Sequence, residues 1–118
     1  MALAKRYTKV KANKEKNFFF ANLLDVVCNE IGIEEEELFT STKSEKKKVS
    51  LSIITNILKS DGYTYDKISA LMAFKTKSII SRYNTFSGLL QPNISKRNFV
   101  DIKYIKSFEK IKNKIQII

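Results

Sequence analysis

Lys75, Thr76, Lys77 and Ser78 stand in a row, with Ser81 and Arg82 one turn further on. If they open a helix, ammonium, hydroxyl and guanidinium groups project together from its first turns. Lys can donate to guanine O6 and N7, hydroxyls pair with bases or phosphates, and a Thr methyl can meet a thymine methyl. That chemistry is recognition rather than bond breaking. The chain has no His, which removes the usual general base and the commonest metal ligand. Its single Cys, Cys28, excludes an internal disulfide and any multi-Cys metal site, and reads as a small buried hydrophobe in a run of apolar residues. Asp25, Glu30, Asp61 and Asp66 pair with no His, Cys or metal set. Glu34–Glu37 would be a poor carboxylate cluster for Mg²⁺ and reads as a solvated acidic face. No catalytic residue, metal site or cofactor is expected.

Charge points the same way. The chain of 118 residues carries 22 basic and 12 acidic side chains, a net charge of +10. On one small domain, an excess this large points to a polyanion such as nucleic acid or an anionic surface, with solubility alone as the alternative. Net charge is +5 over 1–16, −6 over 17–42, +4 over 43–60, +2 over 61–90 and +5 over 91–118, so separate basic and acidic faces are expected. No apolar run approaches membrane-spanning length, and no leader-like stretch precedes Phe18. A cytoplasmic setting, in a bacterial or phage-infected cell, is the expectation.

The elements that must position these groups are helical. Three Gly and one Pro leave little turn chemistry, which disfavours an all-β fold. Residues 1–16 lack apolar periodicity and are predicted to be a flexible basic arm, with 17–118 forming one domain. Phe20, Leu23, Leu24, Val27 and Ile31 define a helix over about Asn17–Glu30, ended by Gly32. At helical spacing Phe18, Phe19 and Phe20 cannot all face one core. Glu34–Glu37 with Leu38 and Phe39 suggest a short second helix. Thr42 and Glu45 suit a capping box for a helix that starts basic at Lys46–Lys48 and turns apolar through Leu58. Val100, Tyr104, Phe108, Ile111 and Ile115 predict a last helix over 98–118. The fold class is all-α: a bundle of five to six helices.

At its centre, Thr64 can cap a short helix burying Ile68, Leu71 and Met72. Ala73-Phe74 makes a turn, and the next helix opens near Thr76 and buries Ile79 or Ile80, then Tyr83. This is the layout of a helix-turn-helix, whose second helix lies in the major groove. Base-reading contacts are expected from Lys75, Thr76, Lys77, Ser78 and Arg82. Phosphate contacts are expected from Lys43, Lys46, Lys47, Lys48, Lys5, Arg6, Lys9, Lys11, Thr64, Tyr65 and Lys67.

Over roughly residues 18–115, the order of elements resembles the C-terminal DNA-binding domain (domain IV) of the bacterial replication initiator DnaA, in the Trp-repressor-like helix-turn-helix superfamily. The resemblance rests on Gly32-Ile33 before the acidic segment to Leu38-Phe39, the basic run Lys43–Lys48, and Tyr65-Asp66-Lys67-Ile68-Ser69. Counting on, Lys75-Thr76-Lys77-Ser78-Ile79-Ile80 falls on the family signature Arg-Asp-His-Ser/Thr-Thr-Val. Lys75 keeps the positive charge and Ser78 is conservative. Thr76, Lys77 and Ile79 replace the signature's Asp, His and second Thr, so the resemblance implies the fold and duplex binding but not the initiator's own target. The turn also admits a generic register in which Ile79 takes the core position. The chain has no phosphate-binding loop of an ATPase.

The expected function is that of a stand-alone double-stranded DNA-binding protein regulating transcription or replication, encoded by a phage or mobile element. The alternative is a basic factor that binds nucleic acid (RNA included), or a protein partner, without sequence choice. Oligomeric state is not readable.

Overall fold

Helices in this chain begin and end where side chains and glycines satisfy their unpaired backbone groups. Asn17, Ser44 and Thr64 are extended residues whose side-chain oxygens accept the amides of Phe20 (3.0 Å), Lys47 (3.1 Å) and Lys67 (3.2 Å). At two C-termini a left-handed glycine turns the chain. Gly32 has φ 79°, and its N–H and that of Ile33 both donate to the Cys28 carbonyl. Gly62 has φ 96°, with the Tyr63 N–H donating to Leu58.

The computed structural model describes residues 2–39, 44–89 and 99–116, with side chains over 7–39, 44–84 and 103–115. Its elements are α1 (Ala2–Lys16), α2 (Phe18–Ile31), a 3-10 helix (Glu35–Phe39), α3 (Glu45–Ser60), α4 (Tyr65–Met72), α5 (Thr76–Leu89) and α6 (Phe99–Gln116). The fold is all-α, as expected from the scarce turn residues and the helical periodicity, and no strand occurs among the described residues. Among them, too, no helix is long and apolar enough to cross a membrane.

Helix α3 is the axis of the bundle. Every residue from Ser50 to Leu58 is buried, because α2, α4, α5, α6 and the 3-10 helix all pack against it. The hydroxyls of Ser52 and Thr55 are satisfied by their own helix, donating to the carbonyls of Lys48 and Leu51. Asn56 reaches out to the Tyr83 carbonyl of α5. Phe20, Leu23, Leu24 and Val27 of α2, Leu38 and Phe39, Ile68 and Met72 of α4, and Phe108 and Ile111 of α6 complete the core. Phe18 is 90% exposed, as three adjacent phenylalanines on one helix demand.

Several sequence expectations are corrected. Residues 2–16 are not a flexible arm. Ala2–Lys16 is helix α1, packed on α2, α4 and the 3-10 helix. Tyr7, Val10 and Lys14 share its inner face. Val10 is fully buried, the Tyr7 ring stacks on Phe39 at 6.0 Å, and Tyr7 Oη donates to Glu35 Oε2 at 2.9 Å. Lys14 Nζ sits 2.7 Å from Glu35 Oε1. A helix so poor in apolar residues is stable only because tertiary partners meet it. Helix α3 is capped by Ser44, whereas Thr42 lies outside the described residues. The short acidic helix is of the 3-10 type.

Burial pushes the Tyr7 hydroxyl up to about 12, with the bond to Glu35 as the next cause. Burial also pushes the Cys28 thiol up to about 12, with Glu35 and Asp25 adding to it. Both groups hold their protons more tightly in the folded than in the unfolded chain. Their contribution to stability is therefore complete below about pH 9 and is lost as pH rises toward 12. Between pH 8 and 10.5 the wild type is expected to lose more stability than Tyr7→Phe, read by urea unfolding. Val10→Ala is expected to cost about 2 kcal/mol, and an unchanged urea midpoint would contradict a packed α1.

Candidate nucleic-acid interface

Helix α4 is eight residues long, too short to hold itself in place. Ile68 and Met72 anchor it to the core, and its C-terminal end is tied down from outside. Asn13 Nδ2 of α1 donates to the carbonyls of Ala70 at 3.0 Å and Leu71 at 2.9 Å. The Ser69 hydroxyl donates to the Phe74 carbonyl, closing the turn from within. Ala73 makes that turn in the left-handed region, φ 57° and ψ 36°, where only Gly sits without strain. Phe74 then stacks on Phe39 at 6.0 Å, and the Arg82 guanidinium lies 4.9 Å from the Phe74 ring centre. Tyr7, Phe39, Phe74 and Arg82 thus form one continuous stack joining α1, the 3-10 helix, the turn and α5.

The register of α5 follows from burial. Ile79 is buried and Ile80 only half-buried. The opposite side of the helix carries Lys77, Ser81 and Asn84, all exposed, at spacings of 4 and 3. Lys75 is exposed just before the helix, while Thr76 and Ser78 are half-buried in its first turn. Thr76 Oγ1 donates to Asp66 Oδ1 across to α4 at 3.2 Å. The structure therefore brings Lys75, Thr76, Lys77 and Ser78 together at one helix start. Arg82 shares the helix but lies against the turn.

The residues expected at phosphates scatter more widely. Thr64 is committed to capping α4, and Lys67 is exposed beside it with its ammonium 5.4 Å from the Tyr63 ring. Tyr65 packs edge-on to Tyr83 at 5.8 Å, with Lys59 Nζ 4.4 Å from its ring. Lys46 points its ammonium at the Gly32 carbonyl, 3.5 Å away. Lys47 is half-buried and Lys48 exposed in the first turns of α3. Lys9 is exposed on α1, four residues before Asn13. Lys11 is also exposed and sits 4.6 Å over Tyr7. The side chains of Lys5 and Arg6, and Lys43 altogether, lie outside the described residues. Part of the basic charge of α6 is drawn to α2, where Lys114 and Lys110 lie 3.1 and 3.7 Å from Glu30. Both lysines are exposed, so these pairs orient more than they stabilise.

Two residues of this region, Asn13 and Asn84, escaped the sequence reading, and a third, Asp66, was read without its partner. Asn13 stood inside the supposed arm, and the spacing of Tyr7, Val10 and Lys14 around it was the available signal. Asn84 extends the exposed stripe of α5, visible only once Ile79 fixes the register. Asp66 was readable as a first-turn acid, but its bond to Thr76 crosses two helices. Among the described residues no three His, Cys, Asp or Glu side chains converge to hold a metal ion. No protein-family model, curated protein or solved structure matches the chain.

Ala73→Gly is expected to raise the urea midpoint slightly. Relief of a left-handed penalty of about 1–2 kcal/mol outweighs the entropy that Gly adds to the unfolded chain, about 0.4–1 kcal/mol. The net gain is on the order of 0.5 kcal/mol, and a loss of stability would mean that the turn is not left-handed at that residue.

Proposed function

We propose that this chain is a sequence-selective double-stranded DNA-binding protein in which α4 and α5 act as a helix-turn-helix and α5 enters the major groove. The observation that carries the proposal is the exposed stripe Lys77, Ser81 and Asn84, opposite buried Ile79, with Lys75 at the helix start. Lys can donate to guanine, Asn can pair with adenine N6 and N7, and Ser can pair with either kind of edge. A left-handed turn between two short helices with a common core suits the same device. Lys67 beside the cap of α4 and Lys9 on α1, both exposed, would be the phosphate contacts. The net charge of +10 supplies the sequence-blind attraction that such contacts draw on. The role that follows is that of a stand-alone regulator of transcription or replication, similar in layout to the DnaA domain. Burial of Ile79 rather than Ile80 favours the generic register over the one that superposes the DnaA signature.

A second reading has one observation in its favour. Phe18, 90% exposed at the start of α2, would suit a basic factor that engages a protein partner or coats nucleic acid without sequence choice.

Lys77→Ala is expected to change which duplexes are selected from a random library. Lys67→Ala should weaken all duplexes alike and flatten the dependence of log affinity on log salt by about 1. Equal weakening of every sequence by both variants would remove base reading from α5 and favour the second reading.

A further inference from the structure

The bond between Thr76 and Asp66 constrains what the start of α5 can recognise. A threonine hydroxyl has one proton to donate and two lone pairs to accept with. Unconstrained, it pairs with a base edge of either kind and contributes little discrimination. Here the hydroxyl lies 3.2 Å from Asp66 Oδ1. An ionised carboxylate only accepts, so the single proton of Thr76 is directed at Asp66. What Thr76 presents outward is then a pair of lone pairs.

We propose that Asp66 is a specificity-determining residue, which makes Thr76 an obligate acceptor and so selects a base that offers an amino group in the major groove. Those bases are adenine, through N6, and cytosine, through N4. Guanine and thymine present acceptors to the same point and are rejected. The contact complements its neighbours, since Lys75 and Lys77 are donors only and seek the acceptors of guanine. One helix start thus carries both polarities. Asp66 itself is a poor phosphate neighbour, being an exposed acid in a basic region. Its place in the first turn of α4 suits the helix dipole, but that role alone does not call for the bond to Thr76.

This inference rests on the proposed function, and the test separates the two. Selection from a random duplex library is run on the wild type, Thr76→Val, Thr76→Ser and Asp66→Ala, each first shown by circular dichroism to melt as a helical protein. The wild-type motif is expected to hold one position with adenine or cytosine on the contacted strand. Thr76→Val, which keeps the shape but loses the hydroxyl, should flatten that position alone, and Thr76→Ser should preserve it. Asp66→Ala frees the proton, so guanine and thymine should be admitted there, with the preference reduced about three- to ten-fold. Loss of the acid raises affinity for every duplex alike, so the ratio between bases is the readout. An unaltered motif in Thr76→Val, or an unaltered preference in Asp66→Ala, would overturn the inference while leaving the proposed function in place. A wild-type pool with no motif would overturn both.

Discussion

From Ser50 to Leu58, α3 has no face left for water, and the placement of α2, α4, α5, α6 and the 3-10 helix answers to that. A helix buried on all sides needs neighbours around its whole circumference. In a chain this short they can come only from consecutive segments folded back across it. Helices α2 and α6 close one side, α4 and α5 another, and the 3-10 helix fills the remaining arc. The polar residues in the buried stretch are tolerable because two hydroxyls bond back along their own helix and Asn56 bonds to α5. Ser50 Oγ finds no hydrogen-bond partner among the described residues, a cost of about 1–3 kcal/mol that the surrounding apolar contacts must offset.

The pair α4–α5 inherits its geometry from this packing rather than from its own sequence. Eight residues of α4 would not stay helical in isolation. Its inner side is fixed by Ile68 and Met72, its carbonyls by Asn13, and its turn by Ser69 and Ala73. The result is a rigid presentation of the start of α5, whose exposed side chains can keep a constant spacing. Rigidity matters for any role in recognition, because a side chain already held in place loses less entropy when it binds.

Helix α1 changes the meaning of the basic N-terminus. As a tail, its lysines would be a diffuse cloud of charge. It is instead a helix clamped by Glu35, Phe39 and the end of α4, with Lys9 exposed on it. The same clamp draws the acid Glu35 into an ion pair with Lys14. Between exposed charges, salt screens interactions beyond about 8–10 Å.

The helical class, the stripes of α2, α4 and α6, the cap at Thr64, the break at Gly32 and the cluster Lys75–Ser78 were legible in the residues alone. These are local matters, set by periodicity, capping chemistry and backbone freedom within a few residues. Only the tertiary structure decided that α1 is ordered, because its partners Glu35, Phe39, Ala70 and Leu71 are distant in the chain and its own residues are mostly polar. Only the tertiary structure decided that polar Ser50, Ser52, Thr55 and Asn56 are interior, since a periodic pattern assumes that each helix keeps one face in water. The choice between Ile79 and Ile80 was likewise beyond the sequence. Adjacent isoleucines satisfy either register, and the packing of α5 on α3 and α4 breaks the tie.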